Sequence, residues 1–355
     1  MRTWNIDTAF PYPVKIGSGL LTQTGAILSC MTAPCKAMVV SDDRVAPLYL
    51  KCVEKSLRQQ GFSTHSFIFP NGEVAKNLRT YEKIQTALSE LHFSRGDLLL
   101  SLGGGVAGDL TGFCAATYRR GMRYAQIPTT LLAAVDASVG GKTAIDLPGG
   151  KNLIGAFYSP MLVLCDPDVF SSLDKKQLAC GFAEVIKCGM ICDAGLLSRL
   201  EEKSIATEEI VSCCVKIKKT FVEADEYDTG VRRLLNFGHT LGHAMEAGSG
   251  YLLSHGEAVA KGMYLMAKAA EENGYAEEPV SKRLKALLEQ YGLSAEPEAN
   301  AGGWMDYIQN DKKTEQETMT VVFPKSWGQC RLETVSVNRF LKIVKKTLKG
   351  IEQNE

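Results

Sequence analysis

Three of the five histidines of this chain lie within one short segment, and their spacing suits a metal site. The segment is 236–257, with the sequence NFGHTLGHAMEAGSGYLLSHGE. His239 and His243 are four residues apart, so on a helix they lie on the same face. A Gly-Ser-Gly segment ends that helix, and His255 lies at the start of a second helix that we expect to extend from Ala258 to Glu272. The sequence therefore predicts that three imidazoles come together from adjacent helix ends.

Neutral imidazole is the commonest protein ligand of zinc, and catalytic zinc sites use three protein ligands plus water or substrate. The HxxxH spacing alone is a weak signal, because Thr240 stands where a zinc protease has its glutamate. A carboxylate ligand must then come from elsewhere in the chain. On these residues alone, ordinary surface or core histidines remain the alternative.

A glycine-rich segment follows an apolar strand and could bind a phosphate. The predicted strand 97–102 (DLLLSL) leads directly into GGGVAGD at 103–109, and we expect a helix from about Leu110 to Thr117. Glycines after a strand let backbone N–H groups approach a pyrophosphate, and a helix N-terminus adds positive potential. The spacing overlaps the GxGxxG pattern of dinucleotide-binding proteins. A tight structural turn is the alternative.

Two glycine–lysine turns lie close together further along the chain. They are Gly140-Gly141-Lys142 and Gly149-Gly150-Lys151-Asn152. Lysine after a glycine turn is a natural ligand of phosphate or carboxylate groups. With Asp136 and Arg120 nearby, the two turns predict a polyanionic or polyhydroxylated substrate.

The elements that must position these residues change in type near residue 170. Up to that point short apolar strands alternate with helices, which predicts a parallel sheet covered on both faces. Ligands bind beyond the carboxyl ends of such strands, where Asp42 and Glu73 lie. After residue 171 helical periodicity dominates, apart from two strands near 319–323 and 328–332 that could form a hairpin across Pro324–Ser326. We therefore expect an α/β domain (1–170) and a mainly helical domain (171–355), with a site in the cleft between them.

The composition excludes several classes of function. Forty basic residues balance forty acidic residues without a basic block, so binding to nucleic acid or to a membrane surface is not expected. No apolar stretch approaches the roughly 20 residues that span a bilayer, and the first nine residues lack the apolar core of a signal peptide. Eleven cysteines occur without a CxxC pair, mostly in apolar context, which favours reduced thiols and a cytoplasmic location.

Five segments, taken together and in order, closely resemble the 3-dehydroquinate synthase family, and the likeness runs along nearly the whole chain. This family comprises NAD- and divalent-metal-dependent cyclases of the shikimate pathway. The resemblance implies an N-terminal Rossmann-like α/β nucleotide-binding domain and a mainly α-helical C-terminal metal- and substrate-binding domain. The segments are GGGVAGDLTGFCAATYRRG (103–121), IPTTLLAAVDASVGGKTAID (127–146), GKNLIGAFYSP (150–160), GFAEVIKCG (181–189) and NFGHTLGHAMEA (236–247).

The resemblance supplies the missing carboxylate of the metal site. Glu184 matches the metal-binding glutamate of the family, and His239 and His255 match its two metal histidines. His243 then matches a residue for substrate contact and proton transfer, so His239 and His243 do not form a shared chelate. Zinc or cobalt would suit this set of ligands.

The remaining site residues are also implied by the resemblance. Those matched to NAD binding are Asp42, Glu73, Lys76, Gly104, Gly105, Val106, Asp109, Thr129, Thr130, Lys142 and Lys151. Catalytic roles fall on Lys142, Lys187, Asn236, His243 and Asp136, and substrate-binding roles on Arg120, Lys151, Asn152, Lys218, Arg232 and Lys312. Lys216 or Lys219 could take the place of Lys218, and Lys313 that of Lys312, because these lysines are close in sequence.

The implied activity is that of a phosphate-eliminating lyase. It converts 3-deoxy-D-arabino-heptulosonate 7-phosphate to 3-dehydroquinate by transient NAD oxidation, phosphate elimination, reduction, ring opening and intramolecular aldol closure. A cytoplasmic homodimer is the form that the family suggests. The alternatives are a related sugar-phosphate cyclase making deoxy-inosose or valiolone-type products, a metal-dependent polyol dehydrogenase, and a non-catalytic nucleotide-binding protein.

Overall fold

The computed structural model describes residues 1–250, 252–297, 304–305, 307 and 318–352. The chain divides into two compact units, which are Met1–Leu173 with Thr207–Tyr227, and Asp174–Ala206 with Asp228–Glu355. The first unit thus contains the segment 207–227, which the sequence analysis assigned to the second domain. Among the described residues, every helix is too short or too polar to cross a bilayer.

The regular elements of the described residues are as follows. The strands are β1 (Arg2–Ile6), β2 (Tyr12–Ile16), β3 (Lys36–Asp42), β4 (Ser63–Phe69), β5 (Leu98–Gly103), β6 (Arg123–Pro128), β7 (Lys142–Leu147), β8 (Gly150–Phe157), β9 (Leu162–Cys165), β10 (Thr318–Ser326) and β11 (Gln329–Ser336). The α-helices are α1 (Thr24–Ser29), α2 (Ala46–Gln59), α3 (Leu78–Glu90), α4 (Gly105–Thr117), α5 (Lys175–Cys192), α6 (Ala194–Glu201), α7 (Thr207–Ala224), α8 (His239–Gly248), α9 (His255–Glu272), α10 (Ser281–Gln290) and α11 (Val337–Glu352). Short 3₁₀ segments occur at Leu20–Gln23, Glu73–Ala75, Tyr118–Arg120, Pro167–Ser172 and Val231–Asn236, and a π-helical segment at Ala133–Ala137.

A seven-stranded sheet forms the centre of the first unit. Its strand order is β1-β2-β9-β6-β5-β3-β4, and all neighbouring strands are parallel except β1 and β2. The central strands β3 and β5 are almost completely buried, as expected for parallel strands that are covered on both faces. The predicted α/β fold class is therefore confirmed.

The antiparallel pair β1–β2 at one end of this sheet was not predicted from the sequence. Helix α7 packs on these two strands, and the indole Nε1 of Trp4 donates a hydrogen bond of 3.0 Å to Ser212 Oγ. This packing on the sheet edge explains why α7 belongs to the first unit although the helices on either side of it in the chain belong to the second.

The prediction of two glycine–lysine turns was wrong in detail. Lys142 is the first residue of β7, and Lys151 lies within β8, so both lysines belong to an antiparallel hairpin. The turn between the strands is 148–149, and Leu147 pairs with Gly150. The glycines hid the alternation of β7, in which Thr143 and Ile145 are buried.

The predicted start of α4 near Leu110 was also wrong, because α4 begins at Gly105. Only Gly103 and Gly104 precede the helix, so much of the glycine-rich segment is helical. These glycines serve close packing: a Cβ at Gly108 would lie 2.9 Å from Gln126 Oε1, and one at Gly112 would lie 2.4 Å from Thr143 Cγ2. Tertiary packing thus overrides the low helix propensity of glycine.

The second unit contains helices α5, α6 and α8–α11 and the hairpin β10–β11. Strand β10 continues through Ser326, so the hairpin turns at Trp327-Gly328 rather than at the predicted Pro324–Ser326. Helices α8 and α9 cross at a glycine contact, which we define as Gly238, Gly242 and Gly262. A Cβ at Gly262 would lie 2.1 Å from the carbonyl oxygen of Gly238 and 2.9 Å from the amide nitrogen of Gly242.

This glycine contact predicts the effect of one added methyl group. Gly262→Ala should lower the free energy of unfolding by about 1–3 kcal/mol, because the new Cβ overlaps backbone atoms that cannot move independently. Urea denaturation would measure the change. Gly350→Ala is the matched control: among the described residues, the atom near the Cβ position of this helical glycine is the end of the Glu272 side chain, at 3.6 Å. The control should be as stable as the unaltered protein or gain up to about 1 kcal/mol. Equal stability of Gly262→Ala and the unaltered protein would contradict the role of the contact.

Candidate active site

Two histidines and one glutamate of the second unit converge on a common point. His239 is the first residue of α8, His255 is the first residue of α9, and Glu184 lies in α5. The Nε2 atoms of His239 and His255 are each 3.5 Å from Glu184 Oε1. One potential ligand atom from each of the three residues lies within 4.8 Å of the other two.

Local sequence signals place these side chains. Gly238 precedes α8 in the left-handed conformation, with φ 79°. Ser254 and Glu257 form a capping box at the start of α9, in which the amide of Ser254 donates to Glu257 Oε2 at 3.0 Å. Each histidine is therefore the first residue of a helix, and the residues before it fix where that helix begins.

The three residues fit a divalent cation in their chemistry. Two imidazoles and one carboxylate are the ligands of an open catalytic zinc site. The Nδ1 atom of His239 is 3.2 Å from the carbonyl oxygen of Phe237, so its Nε2 is the nitrogen left to face Glu184. Glu184 is completely buried, where a carboxylate needs positive charge nearby.

Burial and the charges around the site shift the pKa values of His239 and His255 in opposite directions. Burial, together with the nearby charge of Lys187, holds the pKa of His239 well below its usual range. Burial also lowers the pKa of His255, but hydrogen bonds to Glu184 and Glu246 more than offset this and raise it to about 9. Positive charge is thus favoured beside the two carboxylates, and a divalent cation supplies such charge when bound.

His243 completes a group of three imidazoles. Its ring centroid is 5.2 Å from that of His239 and 5.7 Å from that of His255. The side chain of His243 is exposed, whereas His239 is buried. This difference agrees with a contact to substrate for His243 and with a ligand role for His239.

Other predicted residues of the second unit lie near these helices in the chain. Lys187 is one turn after Glu184 on α5, is buried, and forms an ion pair with Glu184 Oε2. Arg232 is buried and Asn236 is exposed, and both lie in the 3₁₀ segment before α8. Lys312 lies outside the described residues.

In the first unit, predicted cofactor residues meet at the carboxyl ends of three adjacent strands. Asp42 ends β3, Gly104 follows β5, and Thr129 and Thr130 follow β6. The amide of Thr129 donates to the carbonyl oxygen of Gly103 at 2.9 Å, and among the described residues the buried Thr129 hydroxyl has no hydrogen-bond partner. Asp42 Oδ1 accepts the amides of Arg44 and Val45, at 2.9 and 2.8 Å.

The N-terminus of α4 adds to this group. Gly105 and Val106 are in the first turn of the helix, and Asp109 is in the second. Unpaired N–H groups at a helix N-terminus, next to hydroxyl and carboxylate side chains at strand ends, are typical of a dinucleotide site. These residues therefore fit NAD.

Lys76 links the cofactor residues to one predicted substrate residue. Its ammonium is buried, lies 2.6 Å from Asp109 Oδ2 and 3.7 Å from Glu73 Oε1, and donates to the side-chain oxygen of Asn152. Burial alone would lower the pKa of Lys76, but the carboxylates of Asp109 and Glu73 raise it. Asp146, which was not among the predicted site residues, accepts the amide of Asn152 at 2.7 Å and so helps to fix this strand.

The structure also distinguishes between neighbouring lysines of α7. Lys218 is buried and lies 2.7 Å from Asp136 Oδ1, while Lys219 pairs with Asp7 and Glu223. Lys218 is therefore the lysine that forms an ion pair with Asp136, a predicted catalytic residue.

Arg120, a predicted substrate residue, is exposed in the turn after α4, with φ 64°.

Models of known families match two consecutive segments of the chain. The model of the 3-dehydroquinate synthase N-terminal domain matches residues 66–180, and that of the C-terminal domain matches residues 181–314. The chain belongs to the 3-dehydroquinate synthase family. The family expected from the sequence is therefore confirmed.

Curated relatives of the 3-dehydroquinate synthase family match nearly the full chain. The 3-dehydroquinate synthase of Laribacter hongkongensis is 42% identical over 96% of this chain and 97% of its own length. That of Streptococcus suis is 40% identical over 94% and 97%, and that of Neisseria gonorrhoeae is 41% identical over 96% and 98%.

Solved structures share the fold at lower identity. The 2-epi-5-epi-valiolone synthase of Streptomyces hygroscopicus, with NAD⁺ and Zn²⁺ bound, has a TM-score of 0.87 at 23% identity over the whole of both chains. A 2-deoxy-scyllo-inosose synthase in complex with carbaglucose-6-phosphate, NAD⁺ and Co²⁺ has a TM-score of 0.85 at 22% identity, covering 97% of this chain and 100% of its own. These likenesses support the Rossmann-like fold with a helical second part.

The convergence of Glu184 with two histidines predicts stoichiometric metal binding. Glu184→Gln should abolish tight binding of Zn²⁺, because it removes the only carboxylate of the three-residue group. Metal analysis after dialysis would measure the zinc content. Glu201→Gln is the control, since Glu201 pairs with Arg283 at the protein surface. Retention of one tightly bound zinc by Glu184→Gln would refute its assignment as a ligand.

The ion pair between the buried Lys76 and the partly buried Asp109 predicts a pH effect on stability. Burial raises the pKa of Asp109 to about 6, although Lys76 acts in the opposite direction. The unfolded chain has an ordinary aspartate pKa of about 3.9, so the folded state binds this proton more tightly. The stabilisation from Asp109 is therefore complete at low pH and is lost as the pH rises through about 6.

Asp109→Asn removes this titration. The stability of the variant relative to the unaltered protein should increase between about pH 4 and pH 7, by at most about 3 kcal/mol. Urea denaturation at several pH values would measure the difference. Asp43→Asn is the control, because hydrogen bonds from Asn71 lower the pKa of the exposed Asp43, so its effect should be constant above about pH 5. A pH-independent difference for Asp109→Asn would contradict the prediction.

Proposed function

We propose that this chain catalyses the 3-dehydroquinate synthase reaction. Its substrate would be 3-deoxy-D-arabino-heptulosonate 7-phosphate, and its products 3-dehydroquinate and inorganic phosphate. The observation that carries the proposal is the group of Glu184, His239 and His255, in a chain that is 40–42% identical to curated 3-dehydroquinate synthases over nearly its full length. The reaction makes the enzyme a carbon–oxygen lyase.

The proposal includes NAD and a divalent cation, zinc or cobalt, as cofactors. When bound, NAD accepts and returns a hydride, and the cation acts as a Lewis acid that lowers the pKa of hydroxyl groups. The residues at the ends of β3, β5 and β6 would hold the dinucleotide: Asp42 suits a ribose hydroxyl, and the start of α4 suits the pyrophosphate. Glu184, His239 and His255 would hold the cation.

The charged residues of each unit suit a substrate with both a phosphate and a carboxylate. In the first unit, Lys142 and Lys151 lie on adjacent strands of the β7–β8 hairpin, and Asn152 follows Lys151. In the second unit, Arg232 is buried and would bind an anion strongly, since burial strengthens a charge-assisted hydrogen bond. Several charged contacts to one anionic group restrict that group to reactive geometries.

Proton transfers would fall on groups whose surroundings suit them. His243 is an exposed imidazole within 5.2 Å, between ring centroids, of a proposed metal ligand, so it can exchange a proton with a substrate hydroxyl. Asp136 is ion-paired with Lys218, which favours its carboxylate form and a role as a hydrogen-bond acceptor. Lys187, paired with Glu184, would donate a hydrogen bond to a substrate oxygen.

The related cyclases that make deoxy-inosose and valiolone products share the fold and form the second candidate. Their identity to this chain is 22–23%, against 40–42% for curated 3-dehydroquinate synthases. The higher identity favours the heptulosonate phosphate over the substrates of those cyclases.

The proposal also includes a cytoplasmic homodimer. The eleven cysteines are all free thiols, which suits a reducing compartment.

One assay tests the function directly. Purified protein should release phosphate from 3-deoxy-D-arabino-heptulosonate 7-phosphate in the presence of Zn²⁺ and catalytic NAD⁺. We expect one phosphate for each 3-dehydroquinate formed, no net NADH, and loss of activity with a chelator. No release by folded, zinc-loaded protein would refute the proposal, and activity on hexose or heptose phosphates would then identify one of the related cyclases.

Lys151→Ala tests the anion site. This substitution should lower kcat/KM by at least about a hundredfold, because it removes a charge-assisted contact worth about 3 kcal/mol in the transition state. Steady-state phosphate release would measure the loss. Lys83→Ala, at an exposed lysine on α3, is the control and should retain the kcat/KM of the unaltered protein. A near-normal value for Lys151→Ala would remove Lys151 from the site.

A further inference from the structure

The imidazole of His255 lies between two carboxylates. Its Nε2 is 3.5 Å from Glu184 Oε1, and its Nδ1 is 3.4 Å from Glu246 Oε2. Glu246 belongs to α8 and has only 5% of its surface exposed. The Nδ1–Glu246 contact was not predicted from the sequence, and Glu246 is not among the residues proposed to bind the substrate, NAD or the cation.

The Nδ1 atoms of the two proposed metal histidines face different hydrogen-bond acceptors. His239 Nδ1 contacts a backbone carbonyl, that of Phe237, at 3.2 Å, whereas His255 Nδ1 contacts a carboxylate. An acceptor at Nδ1 keeps the proton on that nitrogen and leaves the Nε2 lone pair for a metal. A carboxylate does this more strongly than a carbonyl and also makes the imidazole more basic.

The position of Glu246 follows from the geometry of α8. His239 and Glu246 are seven residues apart, which is two helical turns, so they lie on the same face with His243 between them. One face of α8 therefore provides a proposed metal ligand and also the acceptor for the ligand on α9. A buried carboxylate needs a hydrogen-bond donor, and the N–H of His255 supplies one.

A second arrangement must be weighed, because His243, Glu246 and His255 also bring potential ligand atoms within 4.8 Å of one another. A cation there would use His255 Nδ1. Together with a cation on Glu184, it would require a fully deprotonated imidazole that bridges two metals. A neutral imidazole avoids that cost, because its Nδ1–H donates to Glu246 while its Nε2 lone pair binds the same cation as Glu184. The geometry therefore favours Glu246 as an acceptor rather than as a ligand.

We propose that Glu246 is a positioning residue for the metal centre, which holds the His255 ring so that Nε2 faces the cation. This inference rests on the proposed function only in requiring that Glu184, His239 and His255 bind a divalent metal. Glu246 itself touches neither the cation nor the substrate.

The test compares metal binding by Glu246→Ala and Glu246→Gln with that of the unaltered protein. Competition with a chromophoric chelator would measure the affinity for Zn²⁺, and the visible absorption of the Co²⁺ form would report the ligand geometry. Glu246→Ala should weaken zinc binding about 10–100-fold, with one zinc per chain retained. Glu246→Gln keeps an acceptor oxygen of the same shape, so it should lose less affinity than the alanine variant and still change the Co²⁺ spectrum.

Glu272→Gln is the matched control. It makes the same charge change at the far end of α9, where Glu272 accepts a hydrogen bond of 2.8 Å from Thr347. It should leave zinc affinity and the Co²⁺ spectrum unchanged. Thermal unfolding of the metal-free forms of all variants separates a loss of folding from a loss of metal affinity.

Three results would overturn the inference. Zinc affinity of both Glu246 variants within twofold of the unaltered protein would show that the carboxylate does not position His255. Two zinc ions per chain, one of which is lost in Glu246→Ala, would make Glu246 a ligand. If the unaltered protein bound no stoichiometric metal, the proposed function would fail together with this inference, whereas the first two results leave the proposed function intact.

Discussion

Burial of the Glu184 carboxylate is the constraint on which the second unit depends. An ionised carboxylate with no exposed surface would be strongly unfavourable unless positive charge and hydrogen-bond donors surrounded it. Lys187 on the same helix and the Nε2 atoms of His239 and His255 lie around it. Helices α5, α8 and α9 must therefore meet at one place. The two histidines that lie beside the Glu184 carboxylate are also residues that suit a divalent cation.

In the first unit, the polar groups of the candidate site lie at the carboxyl ends of the strands. Parallel strands bury their side chains on both faces, so the carboxyl ends of β3, β5 and β6 are the places where polar side chains and unpaired amides are tolerated. The helix α4 approaches this edge closely because glycine replaces bulkier residues along it. Lys76 then joins the strand-end group to the β7–β8 hairpin through one buried ammonium.

The sequence predicted those parts of the molecule where the pattern is local. The apolar run 36–42 forms β3, and its signal is the continuous apolar sequence of a buried strand. The segment 255–272 forms α9, and its signals are helical periodicity and a capping box. The prediction for the glycine-rich segment was wrong because its helix begins at Gly105, and Gly108 and Gly112 lie too close to Gln126 and Thr143 for a side chain. The hairpin β7–β8 and the membership of α7 also depend on partners that a single sequence does not reveal. Glu246 carried a signal in its spacing from His239, but only the three-dimensional contact with His255 gives that spacing a meaning.

The glycine contact between α8 and α9 has a consequence for how this centre can change over evolutionary time. The two helices each begin with a histidine of the site, and Gly238, Gly242 and Gly262 set the distance between their backbones. A larger residue at any of the three would push the two helices apart, so substitutions there would disturb folding and ligand geometry together. Substitutions that change specificity alone must therefore lie outside the crossing.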